Sequence, residues 1–244
     1  MTHSNTTRLD GRNPNQLRQI SFVPNFVQYP EGSVLVTWGN TRVLCNLTLQ
    51  EGVPNWRAGT HQGWMTAEYA LLPRSTHTRT SRETNGLKGR TQEIRRLIGR
   101  SLRMAVDLNL IGERTLLLDC DVIQADGGTR VASITGGYLA LALALRPLIK
   151  AGTIPASALR PPIAAVSVGI IDRLPVLDLN YQEDSQAEVD LNIVMTADEK
   201  FIEVQGTAEG DPFSQHALDE MLTLAKQGIQ QIIALQTDFI KTQS

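Results

Sequence analysis

The order in which hydrophobic periodicity changes along the chain constrains its fold most. Residues 20–29, 33–38 and 42–49 are β-rich and separated by the turn signals Pro30-Glu31-Gly32 and Gly39-Asn40-Thr41, which predicts three strands. From 90 to 108 the period becomes helical: Ile94, Leu97, Ile98, Leu102, Ala105 and Val106 form one apolar stripe. A strand over 115–123 follows, then a helix over about 133–145, broken near Pro147. Beyond a Pro-rich linker (Pro155, Pro161, Pro162), strands are predicted over 163–171, 176–181, 189–196 and 201–205. Asp172-Arg173 forms the turn between the first two of these. A long helix over about 215–239, capped by Asp211 or Ser214, ends the chain. Strands, helix, strand, helix, strands, helix is the plan of a layered α+β protein.

Between 52 and 89 the sequence is rich in Gly, Pro and Arg, with room for only a short strand near 65–72. A loop that long in a layered domain is usually functional. The polar start MTHSNTTRLDGR carries no apolar leader, and the longest apolar run, 138–145, is too short to span a bilayer. Cys45 and Cys120 form neither a disulfide framework nor a CxxC clip. A reducing, cytoplasmic setting without a membrane is therefore expected.

Charge is unevenly placed although the net formal charge is only −2. Over 74–103, eight arginines and Lys88 stand against Glu83 and Glu93, a local charge of +7. Over 172–211, eleven acids stand against Arg173 and Lys200, a local charge of −9. Arginine forks suit phosphate groups, and clustered carboxylates suit a hard cation. The alternative is mutual neutralisation of the two segments as surface charge.

Two short motifs carry the chemistry. The strand over 115–123 runs into Asp126-Gly127-Gly128-Thr129-Arg130 and then into a helix. Adjacent glycines permit left-handed backbone, and successive amides at a helix start can wrap an anion. A plain turn explains the Gly-Gly pair alone; the Thr-Arg that follows, near an Arg-rich helix, favours phosphate. The second motif places Asp178, Glu183, Asp184, Glu188 and Asp190 within one stretch. On a continuous strand Asp184 and Asp190 would lie about 20 Å apart, too far to share one Mg²⁺. If they share a cation, Ser185-Gln186-Ala187 must bend Asp184 back over the strand carrying Asp190; a solvated hairpin loop is the alternative. His61, His77 and His216 lack metal-ligand spacing and read as surface residues, and Ser133 reads as a cap or core residue.

These residues resemble the ribonuclease PH family, bacterial phosphorolytic 3′→5′ exoribonucleases related to polynucleotide phosphorylase and the exosome ring subunits. The resemblance rests on EGSVLV (31–36), GWMTAEYALLPRSTHTR (63–79), GRTQEIRRLIGRSLR (89–103), LDCDVIQADGGTR (118–130), AAVSVGI (164–170), EDSQAEVDLNIVMT (183–196) and EVQGTAEGDPF (203–213), in this order. It implies one domain over 1–244, with βαβα-type modules over about 1–150 and 151–244, assembled as a homo-hexamer, a ring-shaped trimer of dimers. In the family the arginine of GRT and the Gly-Thr-Arg of the turn bind the attacking phosphate, which implies Arg90, Gly128, Thr129 and Arg130. The Asp of ED and the Asp six residues later are its acidic pair, which implies Asp184 and Asp190 as catalytic residues and as ligands of Mg²⁺ or Mn²⁺. Arg74, Arg79 and Arg82 are implied as contacts to tRNA or a neighbouring subunit, with Arg96 and Arg100 as further RNA contacts. Two departures stand out: the segment between Arg82 and Gly89 is about two residues shorter than in some relatives, and Val131 occupies a position where Thr is usual.

The implied activity is trimming of precursor tRNA 3′ ends, and of other RNA including rRNA, by inorganic phosphate. It releases nucleoside 5′-diphosphates and runs in reverse as a nucleotidyltransferase. A non-catalytic ring subunit would lack the Gly-Thr-Arg turn or the acidic pair, and a hydrolytic nuclease would release monophosphates without added phosphate.

Overall fold

Strands β1 (Ile20–Pro24), β2 (Gly32–Trp38) and β3 (Thr41–Glu51) form where apolar and polar residues alternate, and pair as an antiparallel meander. The computed structural model describes residues 8–243, so the first seven positions of the polar start lie outside the described residues. Strand β4 (Trp64–Leu71) follows a long loop, helix α1 (Gly89–Arg103) crosses over, and strand β5 (Arg114–Gln124) returns parallel to β4 and antiparallel to β3. The sheet order is β1-β2-β3-β5-β4.

Helix α1 stops five residues short of the expected 108. Ala105 and Val106 are still buried, but by a different partner. Val106 bridges Leu159, and the Asp107 amide donates to the Ala158 carbonyl at 2.8 Å. An apolar stripe reports burial, and here the last two members of the stripe are buried outside the helix.

Helix α2 (Thr129–Lys150) starts four residues earlier than expected and runs through Pro147. Pro147 lies in the last turn, so the amide bond it cannot make is lost only at the helix end. The helix packs on β2 and β3 on one side and on the second sheet on the other, so most of it is buried. Close approach depends on two glycines. A Cβ on Gly136 would lie 2.3 Å from Val36 Cγ2, and one on Gly137 would lie 2.7 Å from Leu118 Cδ2. By length and composition α2 could cross a bilayer, yet 72% of its most apolar window is buried inside the protein, as expected of a core helix.

The second half builds strands β6 (Ile163–Ile171) and β7 (Leu174–Leu177), a single helical turn α3 (Tyr181–Asp184), strands β8 (Val189–Thr196) and β9 (Phe201–Ala208), and helix α4 (Gln215–Thr242). The sheet order is β7-β6-β8-β9, antiparallel throughout. Asp172 and Arg173 both take positive φ, 49° and 63°, the geometry of a two-residue hairpin turn. Strand β7 ends early because Asp178 adopts φ 58° and the chain then winds into α3. Ser214, not Asp211, caps α4 by accepting the Ala217 amide at 3.2 Å. One apolar cluster, with α2 at its centre, joins both sheets.

Candidate active site

The turn after β5 holds Gly127 at φ 72° and Gly128 at φ 66°, and α2 begins at the next residue. Because the helix starts at Thr129 and not at Ser133, Thr129 and Arg130 occupy its first turn. No side chain caps this helix, and no acid lies in its first turn. Its leading amides, which have no intrahelical acceptor, therefore offer an anion-binding end. The turn is anchored from beneath: Thr41 Oγ1 donates to the Gly127 carbonyl at 2.7 Å and accepts the Asp126 amide at 2.9 Å. Arg18 donates to the Asp126 carbonyl. Tyr69, buried under the helix start, shares a 2.8 Å hydrogen bond with Thr129 Oγ1, and burial pushes its phenol up.

A second loop meets this turn backbone to backbone. A Cβ on Gly127 would fall 2.5 Å from the Leu179 carbonyl oxygen and 2.8 Å from the Tyr181 nitrogen. Asn180 and Glu183 cap α3 reciprocally, each side chain accepting the other's amide at 2.9 Å. The resulting turn bends the chain so that Asp184 and Asp190 line one cleft together with Arg90, Gly128, Thr129 and Arg130. The cleft has a volume of about 320 Å³. Gly127→Ala should cost roughly 1–3 kcal/mol for its left-handed backbone and displace α3, so turnover should fall further than stability. Paired measurement of melting temperature and turnover checks this; unchanged turnover would show that α3 does not need the contact.

The acidic stretch does not act as one group. Arg8 grips Glu183 through Nε at 2.6 Å and Nη2 at 2.5 Å. Asp178, fully buried, accepts from Arg18 Nη2 at 2.7 Å, from the Arg18 amide at 2.7 Å and from Trp38 Nε1 at 3.0 Å. Arg12 adds contacts to both acids, 3.3 Å to Asp178 and 3.4 Å to Glu183. Glu188 is exposed and accepts the Arg173 amide at 3.0 Å. Asp178, Glu183 and Glu188 are thus no cation ligands; the first two hold the N-terminal segment against the α3 loop. Asp184 and Asp190 are left for the cleft.

Burial pushes the Asp190 carboxyl up to about 6, and the neighbouring charge of Asp184 adds to that, against the pull of Arg130 and Arg90. Asp184 sits at the rim; the protein wall raises its carboxyl too, and Arg90, Arg130 and Arg18 oppose the rise. Asp190 Oδ1 is buried without a hydrogen-bond partner, an oxygen positioned for a cation or a proton. Among the described residues no group of three or more His, Cys, Asp or Glu forms a complete metal cage. Two carboxylates still fit a cation such as Mg²⁺, which keeps several waters and takes substrate phosphate oxygens.

Arg130 is oriented by residues that no local spacing reveals. Its Nη1 lies 3.1 Å from Gln205 Oε1 and 3.4 Å from Glu93 Oε1, and Gln205 Nε2 donates to the same Glu93 oxygen at 3.0 Å. Arg90 is exposed, and among the described residues its side chain has no hydrogen bond or ion pair, which leaves its fork free. The other arginines do not line the cleft. Arg74, Arg79 and Arg82 are exposed on the segment before α1, where Arg82 borders a second cavity of about 510 Å³. That cavity shares Tyr69, Leu71 and Arg90 with the cleft. Arg100 pairs with Glu203 at 2.8 Å, and Arg96 lies in a shallow surface depression beside Arg95 and Arg103. The basic and acidic segments therefore do both things: Arg100 and Glu203 neutralise each other, while Arg90 lines the cleft together with Asp184 and Asp190.

The model of the 3′ exoribonuclease family, domain 1, matches residues 16–147, and that of domain 2 matches residues 161–228. The chain is 55% identical over 229 residues to the ribonuclease PH of Crocosphaera subtropica, covering 94% of this chain and 95% of the relative. It is 56% identical over 231 residues to that of Moorella thermoacetica, covering 94% and 92%. Among solved structures, an Archaeoglobus fulgidus exosome with RNA bound to the active site superimposes with a TM-score of 0.79 at 22% identity, over 93% of this chain and 91% of that one. An archaeal exosome core gives 0.76 at 22% identity, over 94% and 91%.

Proposed function

The chain belongs to the 3′ exoribonuclease family, and on that premise we propose that it is a phosphate-dependent 3′→5′ exoribonuclease that processes tRNA, with the cleft between α2 and α3 as its active site. One observation carries the assignment of the site: the uncapped start of α2, with Thr129 and Arg130, lines the same cleft as Asp184 and Asp190. An oxygen of inorganic phosphate attacks the phosphorus of the last linkage, and the bond from that phosphorus to the 3′-oxygen of the preceding nucleotide breaks. The products are a nucleoside 5′-diphosphate and an RNA shorter by one residue with a free 3′-hydroxyl. Nucleoside diphosphates and an RNA end run the same path backwards.

Two anions must meet in this reaction. Arg90, Arg130, Thr129 and the Gly128 backbone would neutralise and orient the attacking phosphate. Asp184, with its carboxyl raised, would supply the proton to the leaving 3′-oxygen when protonated, and would serve as a cation ligand only when ionised. Asp184 and Asp190 would hold Mg²⁺ or Mn²⁺, which when bound stabilises charge on the transferring phosphoryl group. Arg74, Arg79 and Arg82, the last of them beside the second cavity, and Arg96 and Arg100 on α1 would guide the RNA body by phosphate contacts. The reading extends to other substrates such as rRNA, to a homo-hexamer built as a trimer of dimers, and to a reducing cytoplasm, which suits the free buried thiols of Cys45 and Cys120.

A 3′-extended tRNA incubated with and without phosphate tests the proposal. Nucleoside diphosphates are expected only with phosphate. Monophosphates released without it would overturn the reading in favour of hydrolysis.

A further inference from the structure

One aromatic ring at the cleft has no part in the chemistry above. Tyr181 opens α3, three residues before Asp184, and lines the cleft. Its side chain gains little from packing: the residue is 56% exposed. Its backbone, by contrast, is fixed. The Tyr181 amide donates to Asp126 Oδ1 at 3.3 Å, and its nitrogen abuts the position of a Gly127 Cβ. The α3 turn behind it is capped at both Asn180 and Glu183, and Glu183 is held by Arg8. An exposed ring on a rigid mount, beside the acids and the anion cradle, is ordered without being consumed by the core.

His77 touches the ring from one side, with centroids 6.4 Å apart and planes tilted by 48°, a direct aromatic contact, and Tyr181 is still more than half exposed. Phosphate and metal groups have no use for a π face, whereas nucleobases do, and stacking accepts any base. A trimmer of mixed sequences needs that tolerance.

We propose that Tyr181 is the stacking platform for the 3′-terminal base of the RNA; this rests on the phosphorolytic reading of the cleft. The platform would hold the terminal nucleotide while phosphate, seated at Arg130, attacks its linkage. Tyr181→Ala and Tyr181→Phe, assayed on one RNA with a normal 3′ nucleotide and on one ending in an abasic ribose, test it. Tyr181→Ala should raise the KM for the normal RNA about 10- to 100-fold, leave the KM for phosphate unchanged, and match the parent on the abasic end. Tyr181→Phe should behave as the parent on both. Equal loss on the abasic end, loss in Tyr181→Phe, or parental behaviour of Tyr181→Ala on the normal RNA overturns the platform. A parent protein that releases no nucleoside diphosphate overturns the phosphorolytic reading and the platform with it.

Discussion

Replacing Arg130 by alanine is expected to lower phosphate-dependent shortening of RNA by about 10²–10³, the cost of removing one fixed donor that faces developing charge. The residue projects from the first turn of α2, where the helix end already favours an anion, and its fork is steadied by Gln205 and Glu93. The fold should survive, because Glu93 and Gln205 retain their own hydrogen bond at 3.0 Å and Glu93 is partly in solvent. Most of the loss should appear in kcat/KM for phosphate, with tRNA affinity nearly unchanged. Arg130→Lys should recover little, since a point charge cannot reproduce a bidentate contact. Nucleoside diphosphate release at the parental rate by Arg130→Ala would remove this residue from the mechanism.

Asp190→Asn should separate stability from activity. In the folded chain the carboxyl is raised to about 6 from an ordinary value of 3.8. The unfolded chain therefore gives up this proton first, and stability falls as pH climbs from about 4 to about 6 and stays lower above that. At neutral pH the ionised group costs the metal-free fold on the order of 3 kcal/mol, at about 1.4 kcal/mol per pH unit. An amide carries no such cost, so the variant should melt about 6–12 °C higher at pH 7 without metal, with the difference vanishing near pH 4. On the proposed mechanism, in which Asp190 is one of the pair that stabilises charge, turnover should meanwhile collapse by 10³ or more. A variant that melts below the parent at pH 7 would show that Asp190 contributes more by bonding than it costs by burial. Asp184→Asn is expected to keep RNA bound while turnover falls; unchanged turnover there would move the proton donor elsewhere.

Legibility of the fold varied with the range of the interactions involved. The hairpin at Asp172-Arg173 and the extent of β8 follow from turn chemistry and period, and both stand as read. The end of α1 does not: Ala105 and Val106 satisfy helical spacing, but a strand-like bridge to Leu159 buries them. The start of α2 was displaced by four residues because a left-handed glycine can serve as its N-cap without a side-chain acceptor. Within the acidic stretch all five carboxylates look alike as letters. Their fates differ because Arg8, Arg12 and Arg18, more than 150 residues away in the chain, reach only two of them.

By itself the sequence determined the order of the main strands and helices and the glycine turn that opens α2, and it left the bend at Asp184 open between a cation site and a solvated loop. These depend on backbone preference and on apolar period, which act over a few residues. Only the tertiary structure decided which arginines face the cleft and which are bound to Glu203, Asp178 or Glu183, and that Gln205 and Glu93 steady Arg130. Charges pair across whatever distance in the chain the sheet order closes, and a buried carboxylate takes the nearest fork that desolvates with it; no local spacing encodes that choice.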